Sequence, residues 1–537
     1  MKKKQIRHSF FPFFLCLNSN ISFHATKAQK SVAILFFATI AIPIFCLAQT
    51  KYPEDVEKVL LITKTNRPEL EKALNYFYKS KDPLKIKAIN FLIANMDIHG
   101  SCNYYWADSS GIRLSFNELD FPDFDSSVRA FDNLKLKTPK IHPVPNIYRD
   151  IDSIKGEYLI SNTERAFALW KQPLAKNVPF DDFCEYLLPY RISVEPMEDW
   201  QDKYANYWKP LMDSIRGLTP TQSLTKLTEN CIQWFMDTYN HETRKEPLPR
   251  LSALQLLFRK KGACEDFTDL GVFAARILGI PATVEYVPYW ATSTATHFFD
   301  VAFVAKDSTI PYECLHTPVQ DFLLPREPGK VLRTTYGKQP NVLATIETAD
   351  NIPQGFLRTL NYKDVTNHYW QVQDVGVKLF PNPMMPKTVY ACVLNGLEWR
   401  PIWWGKTQKD SATFINMSKG AVYMPMYYQN GKMKPAGYPT AVGYNHTAIL
   451  LVDTLKTRTI QLPEQDKYLI YRPNKKYTLY YWNNSWKKIA TQTTSADTHL
   501  LSFDKVPKNA LLLMVPEYSQ KKERPFIITE EGKRVWW

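Results

Sequence analysis

The sequence predicts an α+β protein with a helical N-terminal region, a mixed α+β core and C-terminal antiparallel β-sandwich domains. Three observations predict it. Apolar residues recur at helical spacing through the first third of the chain. At Cys264 a helix-like run begins and then gives way to two strand-like runs. Beyond Arg326, short apolar runs alternate with turn signals. At 537 residues the chain divides into several units. They are read as 1–48, an N-terminal signal peptide or anchor; 49–215, mainly helical; 216–325, the core; and 326–445 and 446–537, two β-sandwiches. Hydrophobic residues make up 45% and aromatics 14%, which excludes wholesale disorder.

The first 48 residues carry six basic side chains and no acid. Ser31 to Ala48 is then an uncharged apolar run closing on Cys46-Leu47-Ala48. A basic stretch, an apolar run and a small-residue end are the parts of an export signal. The apolar run is also long enough to serve as an uncleaved anchor, the one way the chain is expected to meet a membrane. Phe45 before Cys46 does not fit a lipid-bearing cysteine. A periplasmic or extracellular location follows. Taking away the six charges lowers the net from +14 to +8 with no dense Lys/Arg tract, so nucleic acid is excluded as a partner. Cys102, Cys184, Cys231, Cys264, Cys314 and Cys392 are scattered without CxxC spacing, which indicates neither a zinc site nor a small disulfide scaffold.

In chain order, Pro53-Glu54-Asp55 and Asn66-Arg67-Pro68-Glu69 are helix starts, the second with proline at the first helical positions. Leu70, Leu74, Phe77 and Tyr78, then Ile86, Ile89, Leu92 and Ile93, mark core-facing stripes. Phe116 to Asp125 mixes aromatics with acids but lacks the glycine and distal glutamate of a calcium loop, and is read as a solvated loop. Residues 162–171, 179–208 and 224–239 return to helical periodicity. Asp181 or Asp182 is placed as an N-cap, and Cys184 on an apolar face as an inert thiol. In the last third, Asn395-Gly396 and Asn483-Asn484 are placed in hairpin turns, each followed by a tryptophan. The two hairpins echo each other, which suggests two related β units.

The chemistry concentrates between Lys260 and Glu313. Cys264 follows Gly262-Ala263 at a helix start, where unpaired N–H groups and the dipole stabilise a thiolate and could serve an oxyanion. Arg259, Lys260 and Lys261 add positive potential, and Glu265 and Asp266 oppose it. Alone, the cysteine reads equally as a small buried hydrophobe. His297 heads an apolar strand, where a general base meets a nucleophile, although a histidine there also serves as an ordinary core or edge residue. An orienting acid is required as well. Strand alternation puts Asp300 on the opposite face from His297. A turn at 306–308 brings Glu313 back beside the imidazole. Cys314 and His316 flank Glu313, but a Cys-x-His pair without matching spacing elsewhere is no zinc site. No cofactor is expected.

GACEDF, ARILGIPA, HFFDVAF and IPYE together resemble the transglutaminase-like superfamily over roughly 220–320. The resemblance implies a papain-like α+β core with Cys264 as nucleophile, His297 as base and acid, and Glu313 as orienting acid. Family members commonly carry Asp at the third position and a tryptophan shortly before it. This chain has Glu313, preceded by Ser308-Thr309-Ile310. WKQPLAK (170–176), FDDFCEYLLPYR (180–191) and the tail RPFIITEEGKRVWW resemble exported multidomain members from Bacteroidetes-type bacteria. The resemblance implies acyl transfer to an amine, or hydrolysis, at an amide of a protein, peptide or glycopeptide through a Cys264 thioester. Trp170, Tyr190 and Arg191 are candidate substrate-binding residues lining a cleft. The C-terminal tryptophans (Trp399, Trp403, Trp404, Trp482, Trp486, Trp536, Trp537) are read mainly as sandwich packing, with a cell-surface polysaccharide or peptidoglycan as the alternative partner. A non-catalytic protein that binds such a polymer through its β domains is the competing reading.

Overall fold

The computed structural model describes residues 51–138, 140–238, 250–382, 385–466 and 468–537. The expected export signal lies outside them. Among the described residues no helix is long and apolar enough to cross a membrane.

Helices α1 (Glu54–Ile62), α2 (Arg67–Ser80) and α3 (Pro83–Ala94) open the fold. Acids fill the first turn of α1, proline sits at the start of α2, and Asp82 caps α3 by accepting from the N–H groups of Leu84 and Lys85. Leu70, Leu74, Phe77, Ile89, Leu92 and Ile93 are buried, as their spacing predicts. The strands β1 (Gly100–Ala107) and β2 (His142–Arg149) pair antiparallel around α4 (Phe124–Lys137). The acidic stretch expected as a solvated loop is partly structural. Asp123 caps α4, and Glu118, 9% exposed, pairs with Arg259 at 2.7 Å. Then come α5 (Asp150–Ser153), α6 (Gly156–Trp170), α7 (Phe180–Tyr186), α8 (Gln201–Ser214) and α9 (Pro220–Ile232). Pro179, rather than Asp181 or Asp182, precedes α7, so both acids fall in its first turn. The last of these helices ends at Ile232, short of the expected Tyr239, and a short strand, β3 (Met236–Asp237), follows.

The core is built on one buried helix. After α10 (Ala253–Arg259), β4 (Lys261–Gly262) pairs with β3 and leads into α11 (Cys264–Ile277), whose residues from Asp266 onward are all buried. That helix lies on a five-stranded antiparallel sheet of order β7-β6-β5-β8-β9. Its strands are β5 (Ala282–Val287), β6 (His297–Ala305), β7 (Ser308–Tyr312), β8 (Leu332–Thr334) and β9 (Tyr362–Asp364). The last two fall beyond residue 325, where the sequence reading ends the core. Their attachment includes a buried cross-strand pair, Arg333 Nε to Glu285 Oε1 at 2.6 Å, which local periodicity cannot reveal.

The strands β10 (Val372–Lys378), β11 (Thr388–Asn395), β12 (Glu398–Gln408), β13 (Ser411–Ser418), β14 (Ala421–Gln429), β15 (Lys432–Pro435), β16 (Thr440–Val442) and β17 (Thr447–Ile449) follow. They join into one continuous eight-stranded sheet, not two separate ones. Its buried face shares a hydrophobic core with α8 to α11. The rest forms a smaller sandwich around its own core. A pair of β18 (Asp453–Pro463) and β21 (Leu500–Lys508) faces a five-stranded sheet of order β20-β19-β22-β23-β24. The latter comprises β19 (Lys476–Trp482), β20 (Trp486–Thr493), β22 (Leu512–Pro516), β23 (Pro525–Ile528) and β24 (Arg534–Trp536). Trp399 of the first hairpin packs edge-on against Trp482 of the second, ring centres 5.4 Å apart. The echoing tryptophans thus form the seam between the two β units.

Candidate active site

Cys264 is the first residue of α11, held at a well-fixed helix start. Asp266 Oδ2 accepts from the Ala263 N–H (2.8 Å), closing the first turn. Gly262 is obligatory there, because a Cβ on it would meet Asp266 Cβ at 2.4 Å. Cys264 as a residue is half-buried. Desolvation pushes its pKa up to about 12; Glu265 adds to the rise and Arg250 opposes it. The low value expected of a helix start is therefore absent in the free protein, where burial and the neighbouring acids outweigh the dipole.

The cation beside the thiol is also not the one the sequence suggests. Arg259 is tied to Glu118, and the Lys261 ammonium sits over the Phe124 ring. Arg250 takes the role. Its guanidinium donates to Asp269 Oδ1 (3.0 Å) and Ser193 Oγ (3.1 Å), and lies 5.4 Å from the centre of the Phe298 ring. Since Phe298 follows His297, Arg250 connects the Cys264 end of α11 to the His297 end of β6. Sequence reasoning missed it because its partners, Ser193 and Asp269, are 57 and 19 residues away.

His297 and Glu313 are brought together. β6 and β7 pair antiparallel, and Nε2 of His297 lies 2.8 Å from Oε1 of Glu313. The contact is a close approach without the alignment of a hydrogen bond. It leaves Nδ1 as the ring nitrogen facing away from the acid. One face of the imidazole is covered by Trp290, ring centres 5.4 Å apart. Cys264 makes no hydrogen bond to His297 among the described residues. Asp300 is fully buried, and desolvation pushes its carboxyl well above the usual range.

Trp170, Tyr190 and Arg191 do not line a cleft with these residues. Arg191 and Tyr190 are 3% and 2% exposed. Arg191 forms a two-pronged pair with Asp150, both contacts 2.5 Å, and donates to the carbonyls of Ser193 and Glu195 and to Ser101 Oγ. Tyr190 donates to the same Asp150 (2.8 Å). With every donor used internally, neither has one left for a substrate. Trp170 stacks on Phe183 in the N-terminal helical core, and its indole N–H donates to the Val178 carbonyl (3.0 Å). Among the described residues no group of three or more His, Cys, Asp or Glu is placed to hold a metal ion.

A buried helix with cysteine at its start, packed on an antiparallel sheet that presents a His–carboxylate pair, defines a papain-type α+β core. The family model of the transglutaminase-like superfamily matches residues 213–313, ending on Glu313. Over those residues the core is of transglutaminase-like type. Among solved structures, a red sea bream transglutaminase is similar at 10% identity and a TM-score of 0.21, covering 82% of this chain and 77% of that one. No curated protein matches the chain.

Proposed function

We propose that the chain is an exported cysteine enzyme of transglutaminase-like type, acting on an amide of a protein, peptide or glycopeptide. The single observation that carries the reading is the 2.8 Å approach of His297 to Glu313 on the strands packed against the Cys264 helix. In the proposed reaction His297 takes the thiol proton and Cys264 sulfur adds to the amide carbonyl carbon. The C–N bond breaks, and the imidazolium returns the proton to the leaving amine. The thioester is then released by water or by a second amine, with His297 again as base. Glu313 holds the ring orientation and stabilises the imidazolium. The basic and apolar stretches of residues 1–48 support export to the periplasm or beyond, which sets cell-surface or secreted material as the substrate pool.

One observation favours a second reading. Among the described residues Cys264 makes no hydrogen bond to His297. A non-catalytic protein that binds a cell-surface polymer through its β units would need no closer approach. Wild type and Cys264→Ala separate the two when tested on a peptide, a glutamine–amine pair and a glycopeptide. The enzyme reading expects turnover of at least one by wild type and, for loss of the nucleophile, a drop of at least about 10⁴-fold in the variant. Equal rates in both proteins, or none in either, would sink it.

A further inference from the structure

The loop joining β5 to β6 sets the position of His297. It carries Trp290, stacked on the imidazole, and Ala295, two residues before the histidine. Ala295 is exposed and has φ of +69°, a conformation an L-residue rarely adopts unless it is held. One hold is internal, the Trp290 N–H donating to the Ala295 carbonyl (3.3 Å).

The other comes from a hundred residues further along the chain. Asn395 Nδ2 donates to the carbonyls of Trp290 (3.1 Å), Ser293 (3.0 Å) and Ala295 (3.0 Å), two protons shared among three acceptors. Asn395 is 6% exposed and is the last residue of β11. The turn itself is made by Gly396 and Leu397, with φ of +65° and +64°, and Asn395 pairs across it with Glu398. Asparagine is thus not spent on the turn, and its amide is free to grip the loop. The loop's other side is tied by Thr292 Oγ1 donating to Glu327 Oε2 (2.6 Å) and by the Ala291 N–H donating to the Glu327 carbonyl (3.1 Å).

We infer that Asn395 is a positioning residue for His297, so that the β11–β12 hairpin of the eight-stranded sheet is a working part of the active site. The inference rests on the enzyme reading for its use in turnover, but the placement of the imidazole is measurable without it. By gripping both ends of the loop, the amide fixes the Trp290 indole over the ring and the backbone entering β6. The ring then keeps Glu313 on Nε2 and offers Nδ1 outward.

The test uses the full chain with ¹³C-labelled histidine rings, the His297 signal being assigned by its loss in His297→Gln. In Asn395→Ala the His297 signal and its titration midpoint move away from wild type. On whichever substrate wild type accepts, kcat falls at least about tenfold with KM unchanged, as expected for a misplaced catalytic group. Val393→Ala, which removes buried bulk from the same strand and keeps the Asn395 amide, is the control. It lowers the melting temperature but leaves the His297 titration and kcat at wild-type values. A wild-type His297 titration in a folded Asn395→Ala overturns the inference, as does an equal change in Val393→Ala. If wild type turns over no substrate, the enzyme reading falls, and the imidazole titration still decides whether Asn395 positions His297.

Discussion

Arg191 shows how a residue's chemistry and its place in the fold can point in opposite directions. Beside Tyr190 in a helix-rich segment it has the composition of a substrate clamp. Folding instead turns it inward onto Asp150, 41 residues away, and onto three further oxygens. A pair buried this completely is worth little as net attraction, but half of it is costly, because an uncompensated charge is left in the core. Arg191→Met is expected to destabilise the protein by about 3–5 kcal/mol, read as a lowered urea midpoint. A variant of wild-type stability with an altered KM would return the residue to substrate binding. The approach of His297 to Glu313 was legible by contrast because their relation is local. A strand start and a hairpin return fall within 50 residues, and strand alternation chooses Glu313 over Asp300. Arg250 was not legible, since nothing local distinguishes it from any other surface arginine.

At the scale of elements, capping and turn signals carried most of the information. The helix start at Arg67 follows from Pro68, while the start of α3 at Pro83, capped by Asp82, was not among the predicted ones. Predicted register was less secure. Asn395-Gly396 located a hairpin but put it one residue early, since the turn residues are Gly396 and Leu397. The displacement is intelligible only with the loop at 290–295 in view, where Asn395 spends its amide. Leucine consequently sits in the left-handed region, where a Cβ is unfavourable by roughly 1–2 kcal/mol. Leu397→Gly relieves that strain at the cost of some unfolded-chain entropy. It is expected to raise stability by about 0.5–1 kcal/mol with no change in the His297 titration. A loss of stability in denaturant would show that the half-buried leucine side chain is worth more than the strain.

Across the whole molecule, the parts are fastened by buried polar contacts between segments remote in sequence, which is why domain limits read from composition fall short. Lys330, fully buried, donates from Nζ to Asp364 (2.5 Å) and to the carbonyls of Ile415 and Asn416 (2.8 and 2.9 Å), joining the core sheet to the eight-stranded one. His99 does the same between the N-terminal helices and the core. Its Nε2–H donates to the Tyr336 carbonyl (2.8 Å), and its ring stacks on the Tyr336 ring, centres 4.1 Å apart. Burial lowers its pKa to about 4, with nearby Arg191 adding to the effect and Asp150 opposing it. The unfolded chain binds a proton at His99 below about pH 6.5, whereas the folded protein refuses it until about pH 4, so between those limits the unfolded state holds more protons. Stability from this residue is therefore fully present above pH 6.5 and is lost as pH falls toward 4, with a total on the order of 3 kcal/mol. His99→Phe keeps the ring contact but cannot titrate. It is expected to be less stable than wild type at pH 7, with the gap closing by roughly that amount by pH 4 in urea denaturation followed across the range. A gap that stays constant with pH would mean that His99 is protonated as readily in the folded protein as in the unfolded chain. The seam between the N-terminal helices and the core would then not be the acid-sensitive joint of the molecule.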